Sequence, residues 1–250
     1  MKRTILTILI ALFTLTGQAQ NNPNPAEGNN QQEKTVTKKK GVFSSEKILD
    51  KLANGKKLDI DYKEIEEFVK QHPKEYKELM GKFQSSFTNL WTGDVARLYY
   101  GFAFTKDYDP THVSFLKEPY ELYKQGKVKK AYNLCKKELK KAPVSLSLLL
   151  LATELAPKVG KKSEGLGFLA RTTILFQTIL DSGTGFSKEK ALKVIYVPDE
   201  YVIFRDMMGM DLIKQELIDS RYDCITLDRG RNGETITLWF DTYLSISKLR

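Results

Sequence analysis

The apolar residues of this chain change their spacing near residue 183, and that change limits the fold more than any other feature. Ahead of it they recur at steps of three and four. Tyr62, Ile65, Phe68 and Val69 do so in DYKEIEEFVKQH, Tyr76, Leu79, Met80 and Phe83 after Pro73, and Val95, Leu98, Tyr99 and Phe102 in TGDVARLYYGFAF. Each set lines one face of a helix, and Pro73 suits a first helical turn, where its missing N–H is no loss. Ser145 to Ala156, SLSLLLLATELA, is apolar nearly all round, which predicts a central helix covered on several sides. A last helix over Glu164 to Leu180 would place Leu169, Thr173, Phe176 and Leu180 in its stripe.

Behind residue 183 the period becomes two. ALKVIYV (Ala191 to Val197) is rich in β-branched and aromatic residues. In YDCITLDR, Tyr222, Cys224 and Thr226 face one way and Asp223, Ile225 and Leu227 the other; ETITLWFDTYL sets Ile236, Leu238 and Phe240 on one side. GRNG, Gly230 to Gly233, reads as a hairpin turn between them, because Asn-Gly tolerates positive φ. Tyr201–Gly209 and Asp211–Glu216 fit either short helices or edge segments.

The loop at the changeover, DSGTGFSKEKALKV (Asp181 to Val194), resembles a functional loop at first sight. It lacks the G-x-x-x-x-G-K-[ST] spacing of a phosphate cradle. A calcium loop needs oxygen side chains at its third and fifth positions, and here Gly183 and Gly185 stand there. The expectation is a structural join, with ligand or metal contact as the alternatives. Gly183 or Gly185 would end the long helix in a left-handed conformation, and Ser187 would cap a brief turn with Glu189 near its start.

Within the helical part, YELYKQGKVKKAYNLCKKELKKAP is more specific. Gly126 in a turn, then Val128, Ala131, Cys135 and Glu138, with Pro143 closing the unit, resembles the second helix of a tetratricopeptide repeat. Pro119 stands where the first helix should carry its small residue, which predicts a short helix there, and Glu138 replaces a small residue. The fold expected is α+β: an antiparallel, tetratricopeptide-like helical layer over residues 41–182, then a small, mostly antiparallel sheet over 183–250, packed together as one globular unit.

Residues 1–40 belong to neither pattern. Lys2 and Arg3 precede an apolar run from Ile5 to Thr16, with small Gly17 and Ala19 before Gln20. That run is about a dozen residues, the length of a signal-peptide core and short of the roughly twenty a membrane span needs. Residues 1–19 are therefore expected to be a signal peptide, leaving no transmembrane segment after cleavage and a periplasmic or secreted protein. No cysteine follows to indicate a lipid anchor. Residues 20–40, rich in Asn, Gln, Pro and Lys, cannot bury enough surface to order themselves and read as a disordered tether. Lys38, Lys39 and Lys40 are solvated in the simplest reading; the alternative is a basic contact with an anionic envelope surface. The chain carries a net charge of +9, without an arginine cluster or a nucleic-acid motif, so no nucleic acid is expected. The two cysteines, Cys135 and Cys224, permit one disulfide, but each lies among apolar neighbours and two buried thiols are expected.

Catalytic signatures are missing. His72 and His112 lack a second ligand at metal spacing, and no nucleophile motif is present. Neither metal, cofactor nor catalytic residue is assigned. Two acidic-aromatic clusters are the candidate ligand-binding residues: Tyr99, Tyr100, Asp107 and Asp109 in LYYGFAFTKDYDP, and Asp199, Glu200 and Tyr201 in PDEY. The competing reading makes Tyr99 core, Asp109 a turn starter and Asp199 a cap.

Together YYGFAFTKDYDP, GFSKEKALKVIYVPDEY, YDCITL and LWFDTYL resemble the domain of unknown function 4919 family, exported proteins of Bacteroidetes, over roughly Asp61 to Leu244. The resemblance implies export and a shared fold and carries no activity. The first expectation is a non-catalytic binding or interaction module with a protein or glycan partner in the bacterial envelope. The alternative is an envelope glycan hydrolase using two carboxylates, as paired carboxyl groups can.

Overall fold

A computed structural model describes residues 44–85, 90–230 and 233–248. The expected signal peptide and tether, the Lys38–Lys40 run and the centre of the GRNG turn lie outside the described residues. So does the side chain of His112.

Among the described residues eight helices come first: α1 (Ser45–Asn54), α2 (Tyr62–Gln71), α3 (Pro73–Gln84), α4 (Thr92–Phe102), α5 (Ser114–Lys124), α6 (Val128–Lys141), α7 (Leu146–Lys158) and α8 (Lys162–Asp181), with a 3-10 turn at Pro110–Val113. The expected stripes are the buried ones. Ile65 and Val69 of α2, Tyr76 and Phe83 of α3, and Val95, Leu98, Tyr99 and Phe102 of α4 face inward. Asp61 caps α2 through its carboxylate, which accepts from the Lys63 and Glu64 amides at 2.8 and 3.2 Å. The leucine-rich segment forms α7, whose Leu146, Leu148, Leu149 and Leu155 have no exposed surface. Each such side chain contributes about 1.5–3 kcal/mol. On α8 the inward residue is Thr172; Thr173, assigned to the stripe from spacing, is exposed. Pro119 does not shorten α5, which runs eleven residues through it at the loss of one i→i−4 bond.

The turns after α5 and α7 are built alike. Gly126 and Gly160 both take positive φ, 76° and 79°. The Gly126 and Lys127 amides donate to the carbonyls of Tyr123 and Leu122, and those of Gly160 and Lys161 to Pro157 and Ala156. That is a Schellman C-cap in each case.

The C-terminal part holds β1 (Leu192–Lys193), α9 (Val197–Tyr201) running into a π-helical turn at Val202–Met207, β2 (Asp211–Ile218), β3 (Tyr222–Asp228), β4 (Thr235–Asp241) and α10 (Tyr243–Ile246). The sheet order is β1-β4-β3-β2; two pairings are antiparallel and β1–β4 is parallel, so the sheet is mixed. The hairpin β3–β4 forms as expected, with Ile225 opposite Leu238 and Cys224 opposite Trp239. The strand expected over Ala191–Val197 shrinks to two residues, because tyrosine hydroxyls take the backbone groups beyond Leu192 (below). The segment from Asp211 is the edge strand β2. Buried apolar residues from Ile48 to Leu244 form one continuous core under both parts. No helix among the described residues is long and apolar enough to cross a membrane. Both cysteines are free thiols. Cys135 is buried and Cys224 only half-buried, on the outer face of the sheet.

The changeover loop corrects one expectation. Helix α8 ends at Asp181 with Ser182 still right-handed, so no glycine caps it. Its last carbonyls are met instead by Lys57 Nζ, 3.1 Å from Leu180 O, and by the Ser182 hydroxyl, 2.7 Å from Ile179 O. Ser187 and Glu189 lie in a turn without a helix to cap. Gly183 is needed for close approach: a Cβ there would sit 2.4 Å from Ala191 O and 2.5 Å from Lys190 O. Gly185 takes φ 71° and accepts from the Trp239 amide at 2.8 Å. Backbone cannot yield as a side chain can, so Gly183→Ala should cost about 2 kcal/mol or more. The denaturant midpoint measures it, and an unchanged midpoint would mean the loop can move aside.

Candidate functional site

Helix α4 carries Tyr99 and Tyr100 side by side, and both are fully buried. Their hydroxyls, with that of Tyr108, leave the helical layer and hold the chain from Lys193 to Asp199. Tyr100 donates to Lys193 O at 3.1 Å, Tyr108 donates to Ile195 O, and Tyr99 accepts from the Ile195 amide at 3.3 Å. Tyr99 in turn donates to Asp199 Oδ2 at 2.7 Å. The two motifs that stand 90 residues or so apart in sequence are thus one physical unit: three phenols pin one extended segment, which is why β1 stops at Lys193.

Asp199 and Glu200 have no exposed surface. Asp199 does not cap its own helix. Its other oxygen, Oδ1, has no hydrogen bond of good geometry, although the Leu146 and Ser147 amides at the start of α7 lie near the carboxyl and favour its charge. Burial outweighs these amides and the Tyr99 hydroxyl and pushes the Asp199 carboxyl up to about 7. Glu200 is pushed well above the ordinary carboxylate range, first by burial and then by the charge of Asp223. Neither Glu200 oxygen has a hydrogen-bond partner of good geometry, yet the two carboxyls act on each other in opposite senses: Asp223 raises Glu200 while Glu200 holds Asp223 down against its own burial. That pattern leaves the proton on Glu200 and the charge on Asp223. Gln215 Nε2 donates to Asp223 at 2.9 Å, and its amide oxygen accepts from the Tyr201 hydroxyl at 2.5 Å.

Tyr201 joins this sealed network to the surface. A depression of about 280 Å³ opens between α5, α7 and α9, walled by Leu116, Tyr120, Leu150, Pro198 and Tyr201, with Arg205 at its rim. Arg205 makes a bidentate pair with Asp206 at 3.0 and 2.9 Å. Tyr120 is 36% exposed, but its hydroxyl lies within the concavity, where burial pushes it up to about 12. The π-turn over Val202–Met207 aims Val202, Arg205 and Asp206 at this space; such turns recur at functional sites.

Of the seven candidates, Tyr99, Tyr100, Asp199, Glu200 and Tyr201 therefore come together, and only Tyr201 lines the depression. Asp107 is exposed, and Asp109 accepts from Thr111 N and Oγ1 at 2.8 and 2.6 Å, starting the turn after it. Sequence reading missed Tyr120, Arg205, Asp206, Gln215 and Asp223. For Asp223 a signal existed: it shares its strand face with Ile225 and Leu227, and that face is the buried one. Nothing in the local sequence marks Arg205 or Tyr120. Among the described residues no cluster of His, Cys, Asp and Glu is arranged to hold a metal ion.

A family model described as "Domain of unknown function (DUF4919)" matches residues 63–250. No curated protein and no solved structure matches the chain.

Proposed function

Because this chain belongs to the DUF4919 family, whose description names no activity, we propose from its own residues that it is a non-catalytic binding module of the bacterial envelope, one that seats a single sugar unit of an envelope glycan between α5, α7 and α9. The observation that carries this is the tyrosine-walled depression itself. Its volume of about 280 Å³ lies at the lower edge of small-molecule sites, roughly 300–1,000 Å³, which is room for one ring. Tyr120 and Tyr201 offer ring faces and hydroxyls, and the Arg205–Asp206 pair offers a donor and an acceptor side by side for vicinal hydroxyls. Export rests on the pattern of residues 1–19.

Two further features fit this reading. The paired turns at Gly126 and Gly160 stand about one tetratricopeptide period, 34 residues, apart, and Ala131 and Gly165 occupy the corresponding small positions of α6 and α8; a Cβ on Gly165 would already lie 3.2 Å from Pro157. Helix-hairpin stacks of that kind present surfaces to ligands. The sealed carboxyl pair disfavours the hydrolase: a general acid and base must reach the scissile bond, and Asp199 and Glu200 reach no solvent.

Isothermal titration with envelope oligosaccharide fragments should show binding, weakened about tenfold in Tyr120→Ala, the loss expected for one aromatic contact. Reducing ends should not be released. Affinity unchanged in Tyr120→Ala and Arg205→Ala would overturn the seat, and chain cleavage abolished by Asp206→Asn would replace the module with a hydrolase.

A further inference from the structure

Among the described residues, strand β2 lies at the end of the sheet and pairs only with β3. It reads DLIKQELI, and three of its residues are among the most exposed large apolar side chains described: Leu212 at 42%, Ile213 at 55% and Leu217 at 52%. A free edge with such residues is an open template for another strand. The β-bulge between Leu212 and Lys214 leaves Ile213 without a partner on β3, and more than half of its surface is exposed.

The strand complements itself. In an antiparallel pairing centred on Gln215, Ile213 of one copy falls opposite Leu217 of the other. Lys214 falls opposite Glu216, and the regular register ends at the bulge before Lys214. Lys214 and Glu216 project from the outer face, where they now pair with each other at 2.8 Å. Across a twofold axis the same two residues would make two intermolecular pairs, one on either side of Gln215. Directly opposite charges favour such a register and like charges oppose it. A slip of one residue would set Lys214 against Gln215 or Leu217 and turn the apolar strip to the wrong face. Isologous contacts of this kind close as dimers and do not propagate.

We propose that the β2 edge is a homodimer interface, in which two copies pair antiparallel through residues 213–217 about Gln215 and join their sheets into one of eight strands. The occupant is a second copy of this chain because the charge order Lys-Gln-Glu is self-complementary in that register. The proposal is independent of the depression described above.

Sedimentation velocity of the purified protein across a concentration series tests it. A monomer–dimer equilibrium is expected. Lys214→Glu alone and Glu216→Lys alone should each weaken the dimer about tenfold or more, since each sets like charges opposite twice, while the double reversal Lys214→Glu/Glu216→Lys should restore it to near the original. Both positions changed are exposed, so circular dichroism and thermal unfolding of the monomer should be unaltered. A monomer at every concentration would overturn the proposal. So would single reversals that leave dimerisation intact, a double reversal as weak as the singles, or growth beyond the dimer.

Discussion

Stability should fall as the pH rises from about 4 to about 8, the reverse of ordinary acid unfolding, in which paired carboxylates are lost. Asp199 is the cause. Its ordinary value is 3.8 and its folded value about 7. Below the lower value the carboxyl is protonated in both states, and the stabilisation is fully present. Between the two the unfolded chain releases its proton first, so each step upward in pH favours unfolding. Above the higher value both states are ionised and this contribution has gone. At 1.36 kcal/mol per unit the loss is on the order of 4 kcal/mol. Glu200 is shifted in the same direction and adds to it. Glu164 is shifted the opposite way by Lys136 and Tyr132, but it is 37% exposed, and solvent screening leaves such a pair little weight. Urea unfolding at a series of pH values measures the curve. Glu200→Gln keeps a neutral donor toward Asp223 and cannot ionise, so it should flatten the slope and raise stability near pH 8. A wild-type curve that climbs through this range would mean that the carboxyl pair is solvated in solution.

Tyr99→Phe should be costly although it keeps the ring and its packing. The hydroxyl serves two buried partners at once: it donates to Asp199 and accepts from the Ile195 amide. Each would be stranded, at about 1–3 kcal/mol apiece, giving a loss of about 2–6 kcal/mol. The size should depend on pH. The Tyr99 hydroxyl favours the charged form of Asp199, so its removal raises that carboxyl further, and the deficit should be larger near pH 8 than near pH 5. Tyr100→Phe is the comparison: its hydroxyl serves Lys193 O and Ser182 but makes no hydrogen bond to Asp199, so its loss should cost about 1–2 kcal/mol with little pH dependence. Equal losses in the two variants, or a Tyr99→Phe deficit that ignores pH, would remove Asp199 from the account.

The candidate site was legible in part. Its residues could be singled out because tyrosines and acids cluster around helix α4 and in PDEY, but their roles could not. Asp199 reads locally as a cap after Pro198, and Glu200 only as a candidate beside it. Both are sealed because the start of α7 and the buried face of β3 meet at that point, and neither element is near them in sequence. Asp223 alone announced itself, by its phase with Ile225 and Leu227. The strand expected from Ala191 failed for a related reason: propensity counts β-branched residues, whereas Tyr99, Tyr100 and Tyr108 took the backbone groups that a longer ladder would need.

The sequence by itself determined the two architectures and the point between them, since helices and strands bury side chains at periods of 3.6 and 2, and those periods are written in consecutive residues. It also determined the central place of α7, apolar on every side. Only the tertiary structure decided that two motifs on opposite sides of the changeover form one hydrogen-bonded unit, that the acids are closed off, and that a depression opens over Tyr201. Those outcomes depend on which distant groups exclude water from a given atom, and desolvation is a property of the assembled neighbourhood rather than of any stretch of chain.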